Sequence, residues 1–242
     1  RMTVLDVGQG QCVILNDDDT VVMVDCGGDS YDDPGELAAD YLRSRAVFRL
    51  DALVLTHYHD DHANGVLRLL DLVDVTLLVL PDVEEDSALR QSILAAAAEK
   101  GVETCFVRTT SDVEIGDVMM KGYPPLTDDR DENERGLALL LRSGEHSVLI
   151  TGDMDGLTER KLLHYAELPD VDLLIAGHHG AADSTTSELL HAVQPEVCIV
   201  SVGQNNRYGH PADATLDRLN NVNCETYRTD RNGTVRITFD KP

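Results

Sequence analysis

Short apolar runs alternate with amphipathic segments along most of the chain, and this alternation predicts strands followed by helices. Pro34 is well placed to start a helix that has its apolar residues on one face, and we expect that helix over Glu36–Arg45. Three short strands bounded by glycine-rich or acidic turns come before it, at Thr3–Val7, Gln11–Leu15 and Thr20–Asp25. The chain therefore opens as a sheet and continues as an α/β structure.

The same alternation continues to the C-terminal end. The predicted strands are Ala52–Leu55, Leu77–Leu80, Leu137–Leu141, Ser147–Thr151, Val171–Ala176, Val197–Ser201, Thr226–Tyr227 and Thr234–Phe239. The predicted helices are Asn64–Leu72, Ser87–Lys100, Thr158–Ala166, Thr186–Val193 and Asp213–Leu219. Apolar strands interleaved with helices indicate sheets that are covered on both faces or stacked between helical layers. The longest polar loop is expected at 124–135.

Composition and charge narrow the classes of function. The 242 residues are 42% hydrophobic and 26% charged, as in a folded protein, and we expect one domain. The formal net charge of -24 predicts repulsion of nucleic acid, which disfavours a passive DNA-binding module. It disfavours a nuclease less, because bound divalent cations would reverse the local field. The five cysteines form no C-x-x-C pair and are interpreted as free thiols, mostly buried.

Membrane-spanning and signal segments were sought in the sequence. No run approaches the roughly 20 apolar residues that span a bilayer, and no signal-peptide pattern is present. The sequence starts directly in a strand-like pattern at Arg1, which we interpret as a domain cut from a longer protein.

A cluster of metal-ligand side chains follows the predicted strand Ala52–Leu55. His57 and His59 stand two residues apart in an extended segment, so they point to the same side and can ligate one ion. Asp61 and His62 begin the next helix and can ligate a second ion. The carboxyl ends of strands are where open α/β sheets usually place their sites. The cluster predicts a metal centre.

Three other strands end in candidate ligands. Asp25 follows one apolar strand, Asp153 follows another, and the pair His178 and His179 follows a third. A single aspartate after a strand is more often a turn or helix cap. Their agreement in placing nitrogen and oxygen ligands at strand ends supports one shared site.

These motifs, in this order, resemble those of the metallo-β-lactamase superfamily. The segments that carry the resemblance are His57-x-His59-x-Asp61-His62, Thr151-Gly152-Asp153 and Gly177-His178-His179-Gly180. Three further segments resemble one branch, the C-terminal domains of the ComEC proteins of DNA uptake: 5–10, 201–211 and 227–233. The resemblance covers nearly the whole chain. It implies a four-layer αββα sandwich with two divalent metal ions, zinc or manganese, at the rim of its sheets.

Carried over by position, the resemblance also implies the ligand sets. Metal one would be held by His57, His59 and Asp153. Metal two would be held by the bridging Asp153 and by Asp61, His62 and one histidine of the 178–179 pair. Position after the strand favours His178, and His179 remains the alternative.

The chain departs from the family at three places. Most members have another histidine ligand near 132–137, whereas this chain has Asn133 there and Gly136 at the expected serine position, so the first metal would be completed by water or substrate or would be weakly held. Gln11 stands where an acidic residue is usual, and Ala181 where a serine is usual. We expect both to remove polar groups near the rim.

The implied activity is hydrolysis of a phosphodiester. Two cations about 3.5 to 4 Å apart can activate a water molecule and orient a phosphate. Asp61 would orient that water, and His210 would hydrogen-bond the phosphate or protonate the leaving oxygen, unless it is simply a turn histidine satisfied by backbone. Asp25, and less strongly Asp6, would orient ligand histidines together with Asn133. Substrate contacts are assigned to Arg207, Asn206, Tyr208 and Arg228, and solvated surface arginines are the alternative for the two guanidinium groups.

The resemblance further implies a setting in DNA uptake. The domain would be a monomeric part of a bacterial cytoplasmic-membrane protein, attached to its channel domain on the outer face, and would degrade the DNA strand that is not imported. One alternative is another metallohydrolase on the same site, such as a lactamase, a lactonase or a small-molecule phosphodiesterase. The other is a docking domain without catalysis, which the missing histidine and the acidic surface suggest.

Overall fold

The computed structural model describes residues 1–126 and 135–239. Its first sheet has seven strands in the order β14-β1-β2-β3-β4-β5-β6. From β3 to β6 the strands are parallel, and the other neighbours are antiparallel. The strands are β1 (Met2–Val4), β2 (Val13–Asp17), β3 (Thr20–Val24), β4 (Arg49–Val54), β5 (Asp74–Pro81), β6 (Glu103–Val107) and β14 (Val235–Ile237).

The second sheet repeats this plan with the order β13-β12-β11-β10-β9-β8-β7. Here β10 to β13 are parallel and β7 to β10 are antiparallel. The strands are β7 (Ser111–Ile115), β8 (Val118–Tyr123), β9 (Ala138–Ser143), β10 (His146–Ile150), β11 (Leu173–Ile175), β12 (Val197–Val200) and β13 (Glu225–Arg228). The parallel strands of each sheet therefore bring their carboxyl ends to one edge.

Helices connect the parallel strands. Several have caps that the sequence supplies: the side chains of Asp33, Ser87, Asp155 and Thr186 each accept a hydrogen bond from a backbone amide in the first turn. The helices are α1 (Pro34–Ser44), α2 (Asp60–Ala63), α3 (Val66–Leu72), α4 (Ala88–Lys100), α5 (Gly156–Tyr165), α6 (Ser187–Val193), α7 (Asp213–Asn221) and α8 (Thr229–Asn232).

Three apolar layers hold the molecule together. The middle layer lies between the sheets and contains the inward-facing residues of both, such as Val54 and Ile150. A second layer packs α1, α3 and α4 on the first sheet through residues such as Leu42 and Leu69. A third packs α5, α6 and α7 on the second sheet, with Leu162 and Leu190 at its centre. Helix, sheet, sheet, helix is the predicted four-layer sandwich, which is confirmed.

The sequence analysis did not predict strands β6, β7 and β8. β6 and β7 are edge strands with exposed or half-buried polar residues, as Ser111–Ile115 shows with only its last residue buried, and β8 lies next to the edge between β7 and β9. The apolar content of β7 is therefore low, whereas β8 is mostly buried and its polar Lys121 and its Gly122 interrupt the apolar run. Most of the predicted polar loop, 127–134, lies outside the described residues.

The structure also bears on the cysteines and on membrane-spanning segments. All five cysteines are free, and four of them are buried, whereas Cys105 is half-buried. Within 1–126 and 135–239, no helix combines the length and the apolar character that crossing a bilayer requires.

Candidate metal centre

The histidine-rich loop leaves the first sheet at the end of β4. The amide of Leu55 still donates to the carbonyl of Val79 on β5, at 2.9 Å, so the chain enters the loop in a fixed direction. Helix α2 begins after His59, whose carbonyl accepts from the amide of His62 at 3.0 Å. Asp61 and His62 are therefore held in a helical turn, while His57 and His59 lie in the extended segment before it.

Glycines allow the backbone to pack closely beneath this loop. A Cβ at Gly27 would lie 2.4 Å from the amide nitrogen of His62, and one at Gly10 would lie 2.3 Å from the carbonyl oxygen of Gly27. The amide of Gln11 donates to the carbonyl of Asp61 at 2.9 Å. The segment after β1 and the segment after β3 thus support the ligand loop through backbone contacts that no larger side chain would permit.

Asp25 receives four hydrogen bonds directly behind the ligands. Its Oδ1 accepts from the amide of Thr56 at 2.7 Å. Its Oδ2 accepts from the hydroxyl of Thr56, from Nε2 of Gln11 and from Nδ1 of His62, each at 2.8 Å. The carboxylate is fully buried. With Nδ1 of His62 held as a donor, Nε2 faces the site, which is the orientation that a metal ligand needs.

The second sheet supplies the other half of the centre. Asp153 follows β10, and its Oδ1 lies 3.0 Å from Nε2 of His62. Its Oδ2 lies 3.9 Å from Nε2 of His57, 3.7 Å from Nε2 of His178 and 3.8 Å from Nε2 of His179. Asp153 is therefore central to the cluster, within reach of ligands from both sheets.

His179, and not His178, completes the compact ligand group. Both residues have left-handed backbone, with φ of 48° for His178 and 54° for His179. This double turn buries His179, whose Nδ1 lies 2.9 Å from the carbonyl of Ser201 and whose Nε2 lies 3.3 Å from Oδ2 of Asp61. The side chain of His178 is 29% exposed and lies at the mouth. Position after the strand favoured His178, and the backbone geometry favours His179.

Two groups of donor atoms could each hold an ion. In each group the ligand atoms lie within 4.8 Å of one another; one group is Asp61, His62, Asp153 and His179, and the other is His57, His59 and Asp61. The Nε2 atoms of His57, His62 and His179 are buried without an aligned hydrogen bond. Buried nitrogens in this condition, surrounded by carboxylate oxygens, fit divalent cations with a nitrogen and oxygen preference. Asp61 belongs to both groups, and Asp153 lies within 3.9 Å of Nε2 of His57.

The pKa values of the clustered side chains also fit the binding of a divalent cation. Burial and the neighbouring His62 hold the pKa of His57 well below its usual range, so His57 is neutral and able to ligate. Burial alone would raise the pKa of Asp153, but His62 and His179 outweigh it and hold the pKa well below the usual range. Burial would lower the pKa of His62, yet Asp153 and Asp25 raise it well above the usual range. The surroundings of Nε2 of His62 thus favour a positive charge, whether a proton or a metal ion carries it.

A cleft of about 670 Å³ opens above the ligands. Asp29, Asp60, Asp61 and Asp153 are among the residues that line it, and Arg207 is the only arginine or lysine that the described part of the chain contributes to its wall. Four aspartates against one arginine make the wall of the cleft acidic, so an anionic substrate would be repelled unless cations are bound.

Three side chains form a stack from the mouth of the cleft toward the ligands. The guanidinium carbon of Arg207 lies 4.9 Å from the ring centre of Tyr208, and its Nη2 donates to the Tyr208 hydroxyl at 2.8 Å. The ring of Tyr208 stacks on His210, with centres 5.7 Å apart. His210 then meets the ring of His178 edge-on at 5.6 Å. Nδ1 of His210 is buried without a hydrogen-bond partner.

Asn206 shapes the loop that carries this stack. Its Nδ2 donates to the carbonyls of Gly203 and His210, at 3.0 and 2.7 Å. Its Oδ1 accepts from the amides of Tyr208 and His210, at 3.1 and 3.0 Å. Four hydrogen bonds use the whole amide group. Asn206 therefore organises the loop, and the assignment of a substrate contact to it lacks a free donor or acceptor.

Two further residues assigned from sequence, Asp6 and Arg228, do not reach the cluster. Asp6 is exposed, and its Oδ1 accepts from the amide of Gly8. Arg228 makes a bidentate ion pair with Asp230, in which Nε and Nη2 donate to the two carboxylate oxygens at 2.9 and 2.6 Å. Arg228 is absent from the described wall of the cleft. Asn133 lies outside the described residues.

Two functional residues were missed or misjudged from sequence. Gln11 was expected to remove a polar group from the rim, but it is buried and donates to Asp25. Thr56 received no role, although it gives Asp25 two hydrogen bonds. For Thr56 the available signal was its position, since it ends an apolar run directly before His57, whereas Gln11 stands at the start of its predicted strand and gave no such signal.

Comparison with known proteins agrees with this geometry. Residues 5–204 match the profile described as the metallo-beta-lactamase superfamily. ComE operon protein 3 of Bacillus subtilis is 30% identical over 99% of this chain and 33% of its own length. Competence protein ComA of Neisseria gonorrhoeae is 27% identical over 98% of this chain and 32% of its own. The chain thus spans about a third of the relatives it matches.

A solved structure resembles the whole fold. The metallo-beta-lactamase fold protein YhfI of Bacillus subtilis superposes with a TM-score of 0.65, at 14% identity, over 98% of this chain and 100% of YhfI. At that identity the likeness concerns the fold alone. The match over residues 5–204 carries the assignment. The chain belongs to the metallo-β-lactamase superfamily and has competence proteins among its homologues.

Proposed function

We propose that this domain hydrolyses phosphodiester bonds of DNA with two bound divalent metal ions, during DNA uptake. The observation that carries the proposal is the meeting of two ligand groups at the foot of an open cleft, one group from the loop after β4 and the other drawn from the loops of both sheets. The competence proteins among the relatives favour DNA over other phosphodiesters.

The ligand atoms fit zinc or manganese. His57 and His59, with Asp61 or Asp153, would hold one ion, and Asp61, His62, Asp153 and His179 would hold the other. The imidazole-rich group suits zinc, and the two carboxylates of the other group would also accept manganese. When bound, such cations neutralise phosphate charge and lower the pKa of a water molecule.

Residues of the chain itself would position the reactants. Asp61, with its ionised carboxylate 3.3 Å from His179, would hold and orient the attacking water. His210 lines the cleft beside His178 and would hydrogen-bond a phosphate oxygen or give a proton to the leaving oxygen. Arg207 and Tyr208 would contact the DNA backbone or its bases at the mouth.

The acidic character of the chain explains why such activity would depend on cations. A net charge of -24 and four aspartates in the cleft wall oppose the approach of DNA. Bound ions would be the largest local charges and would make the cleft attractive to a phosphate. Substrate binding and metal binding would therefore be coupled.

The competence proteins among the relatives support a setting in DNA uptake. We infer a soluble, monomeric domain on the outer face of the bacterial cytoplasmic membrane, joined to a membrane channel domain of the same protein. There it would degrade the strand that is not imported.

Cleavage assays on defined DNA test the proposal. Metal-loaded protein is incubated with single-stranded and duplex DNA, with and without chelator, beside the Asp61→Ala variant. We expect cleavage that needs manganese or zinc and falls at least 100-fold in Asp61→Ala, in line with the loss of a water-positioning group. Absence of cleavage by every metal-loaded form contradicts the nuclease. Hydrolysis of a lactam, a lactone or a small diester instead would identify another metallohydrolase, and a metal content near zero would indicate a docking domain.

A further inference from the structure

The loop that follows the ligand histidines contains three unfavourable backbone conformations. His178, His179 and Thr185 all have positive φ, at 48°, 54° and 53°. A β-branched residue such as threonine rarely adopts this region. Such conformations persist only where surrounding groups over-determine them, so something must hold the loop 178–186 in place.

Glu159 on α5 contacts this loop from one side. Its carboxylate is fully buried, and its Oε1 accepts from the amide of Thr185 at 2.5 Å, while Oε2 accepts from the amide of Thr186 at 2.8 Å. Glu159 is neither a member of the ligand groups nor part of the cleft wall described above. A buried carboxylate is costly unless it is hydrogen-bonded, and here both its oxygens receive backbone donors.

Arg218 on α7 contacts the same loop from the other side. Its Nε donates to the carbonyl of Thr185 at 2.9 Å, and its Nη2 donates to the carbonyls of Ala182 and Ser184, at 2.9 and 2.7 Å. Carboxylates only accept and guanidinium groups only donate. The two side chains therefore bind complementary backbone groups, and Thr185 is held through both its N–H and its C=O.

Thr185 passes this constraint to the histidines. Its hydroxyl accepts from the amide of Gly177 at 3.0 Å, and Gly177 directly precedes His178. A Cβ at Gly177 would lie 3.5 Å from Oε1 of Glu159, so the glutamate also packs against the start of the turn. The carboxylate, Thr185 and the turn form one continuous buried unit.

We propose that Glu159 and Arg218 are positioning residues that hold the His178–His179 turn in the conformation required for metal binding by the group of Asp61, His62, Asp153 and His179. The inference rests on the proposed metal-dependent function. Helices α5 and α7 would thus influence, through the turn, the affinity for the ion held by this group, while the ion held by His57 and His59 would depend on the loop after β4.

Substitution of the carboxylate by an amide is a sharp test. In Glu159→Gln the side chain keeps its size, but its NH₂ group must face the N–H of Thr185 or of Thr186, so one backbone donor loses its acceptor. Arg218→Lys keeps the charge and loses the fork that reaches several carbonyls. Matched controls are Glu188→Gln on α6 and Arg160→Lys on α5, both exposed.

Metal titration by calorimetry, with manganese or zinc added to metal-free protein at pH 8, gives the first measurement. Loss of a group that orients a ligand typically lowers metal affinity 10–100-fold. We expect that loss for one of two ions in Glu159→Gln and Arg218→Lys, with the other ion and both controls unchanged. If both variants fold and bind two ions as the wild type does, the inference is wrong.

Hydrogen exchange in metal-free protein gives a second measurement that does not need the proposed function. The amide of Ala181 donates to the carbonyl of His178 at 2.9 Å and reports on the turn. The amide of Cys26 donates to the carbonyl of His62 at 2.8 Å and reports on the loop after β4. We expect faster exchange at Ala181 and unchanged exchange at Cys26 in both variants. Wild-type exchange at Ala181 would overturn the inference. A wild type that binds no metal would refute the proposed function, and the exchange result would still decide the role of the two residues in holding the turn. Should Glu159→Gln fail to fold, Arg218→Lys carries the test.

Discussion

Asp25 and His62 are joined by a hydrogen bond of 2.8 Å between a fully buried carboxylate and Nδ1 of the imidazole. Since Thr56 and Gln11 occupy the remaining positions of that carboxylate, His62 has one available orientation, with Nε2 toward Asp153.

Asp25→Ala removes this support, and we expect the affinity for a divalent ion at the position of His62 to fall 10–100-fold. The physical reason is that the ring of His62 loses both its tautomer and its direction. Competition with a chelating dye measures the change. Asp6→Ala, on the exposed surface, is the matched control and should bind metal as the wild type does. An affinity in Asp25→Ala equal to that of the control would contradict the role of Asp25.

Gln11→Glu introduces the acidic residue that is usual in the family, and here we expect it to destabilise the fold. The side chain of Gln11 donates to Oδ2 of Asp25, whereas an ionised glutamate could only repel it. We expect a loss of about 1–3 kcal/mol in the free energy of unfolding, the typical result of leaving a buried polar group without its partner. Urea denaturation measures it. Gln204→Glu, at an exposed position, should change stability by less than about 0.5 kcal/mol.

Arg207→Gln tests the contact at the mouth of the cleft. Arg207 lies above Tyr208, outside the ligand cluster, so its loss should weaken DNA binding without altering the reacting groups. We expect a higher KM, an almost unchanged kcat, and a salt dependence of binding whose slope falls by about 1. Arg45→Gln, which removes the same charge outside the cleft wall, is the control. Equal effects of the two substitutions would mean that only net charge matters.

Glu159 predicts a component of the pH dependence of folding. Burial raises the pKa of Glu159 from 4.5 to about 7, although the hydrogen bonds from Thr186 and Thr185 and the charge of Arg218 oppose the rise. A raised folded-state pKa means that the folded protein binds the proton more tightly. The resulting stability is complete below pH 4.5 and is lost as the pH rises to about 7.

The comparison of wild type with Glu159→Gln isolates this component, because buried histidines with raised pKa values contribute a slope of the same sign in both proteins. Between the two pH limits we expect the wild type to lose on the order of 3 kcal/mol more unfolding free energy than the variant. Urea denaturation in chelator at several pH values measures the difference. Parallel curves would show that Glu159 titrates normally.

The sequence predicted the layers because buried parallel strands are read easily from apolar runs. Both Leu53 and Leu174 stand in such runs at the centre of a sheet. The edge strands β6 and β7 were missed because an exposed edge does not need an apolar face, and Ser111–Ile115 alternates polar and apolar residues over only five positions. Burial on both sides of a strand is visible in sequence, and an edge is much less so.

The site was predictable in its ligand types and not in its backbone. Spacing brought His57, His59, Asp61 and His62 together as candidates because they are local in the chain, and the structure places all four in the two groups of donor atoms. The choice between His178 and His179 depends on two consecutive left-handed residues, a conformation that histidine seldom adopts and that contacts from α5 and α7 impose. Long-range contacts of this kind leave no local pattern.

The position of Asp153 between ligands of the two sheets has a mechanical consequence. His62 comes from the loop after β4 and His179 from the turn after β11, and Asp153 lies 3.0 Å from the first and 3.8 Å from the second. An ion held there would fasten together two halves of the chain more than 100 positions apart, as a crosslink does. Unfolding either half would then release it, so each half would protect the other from opening.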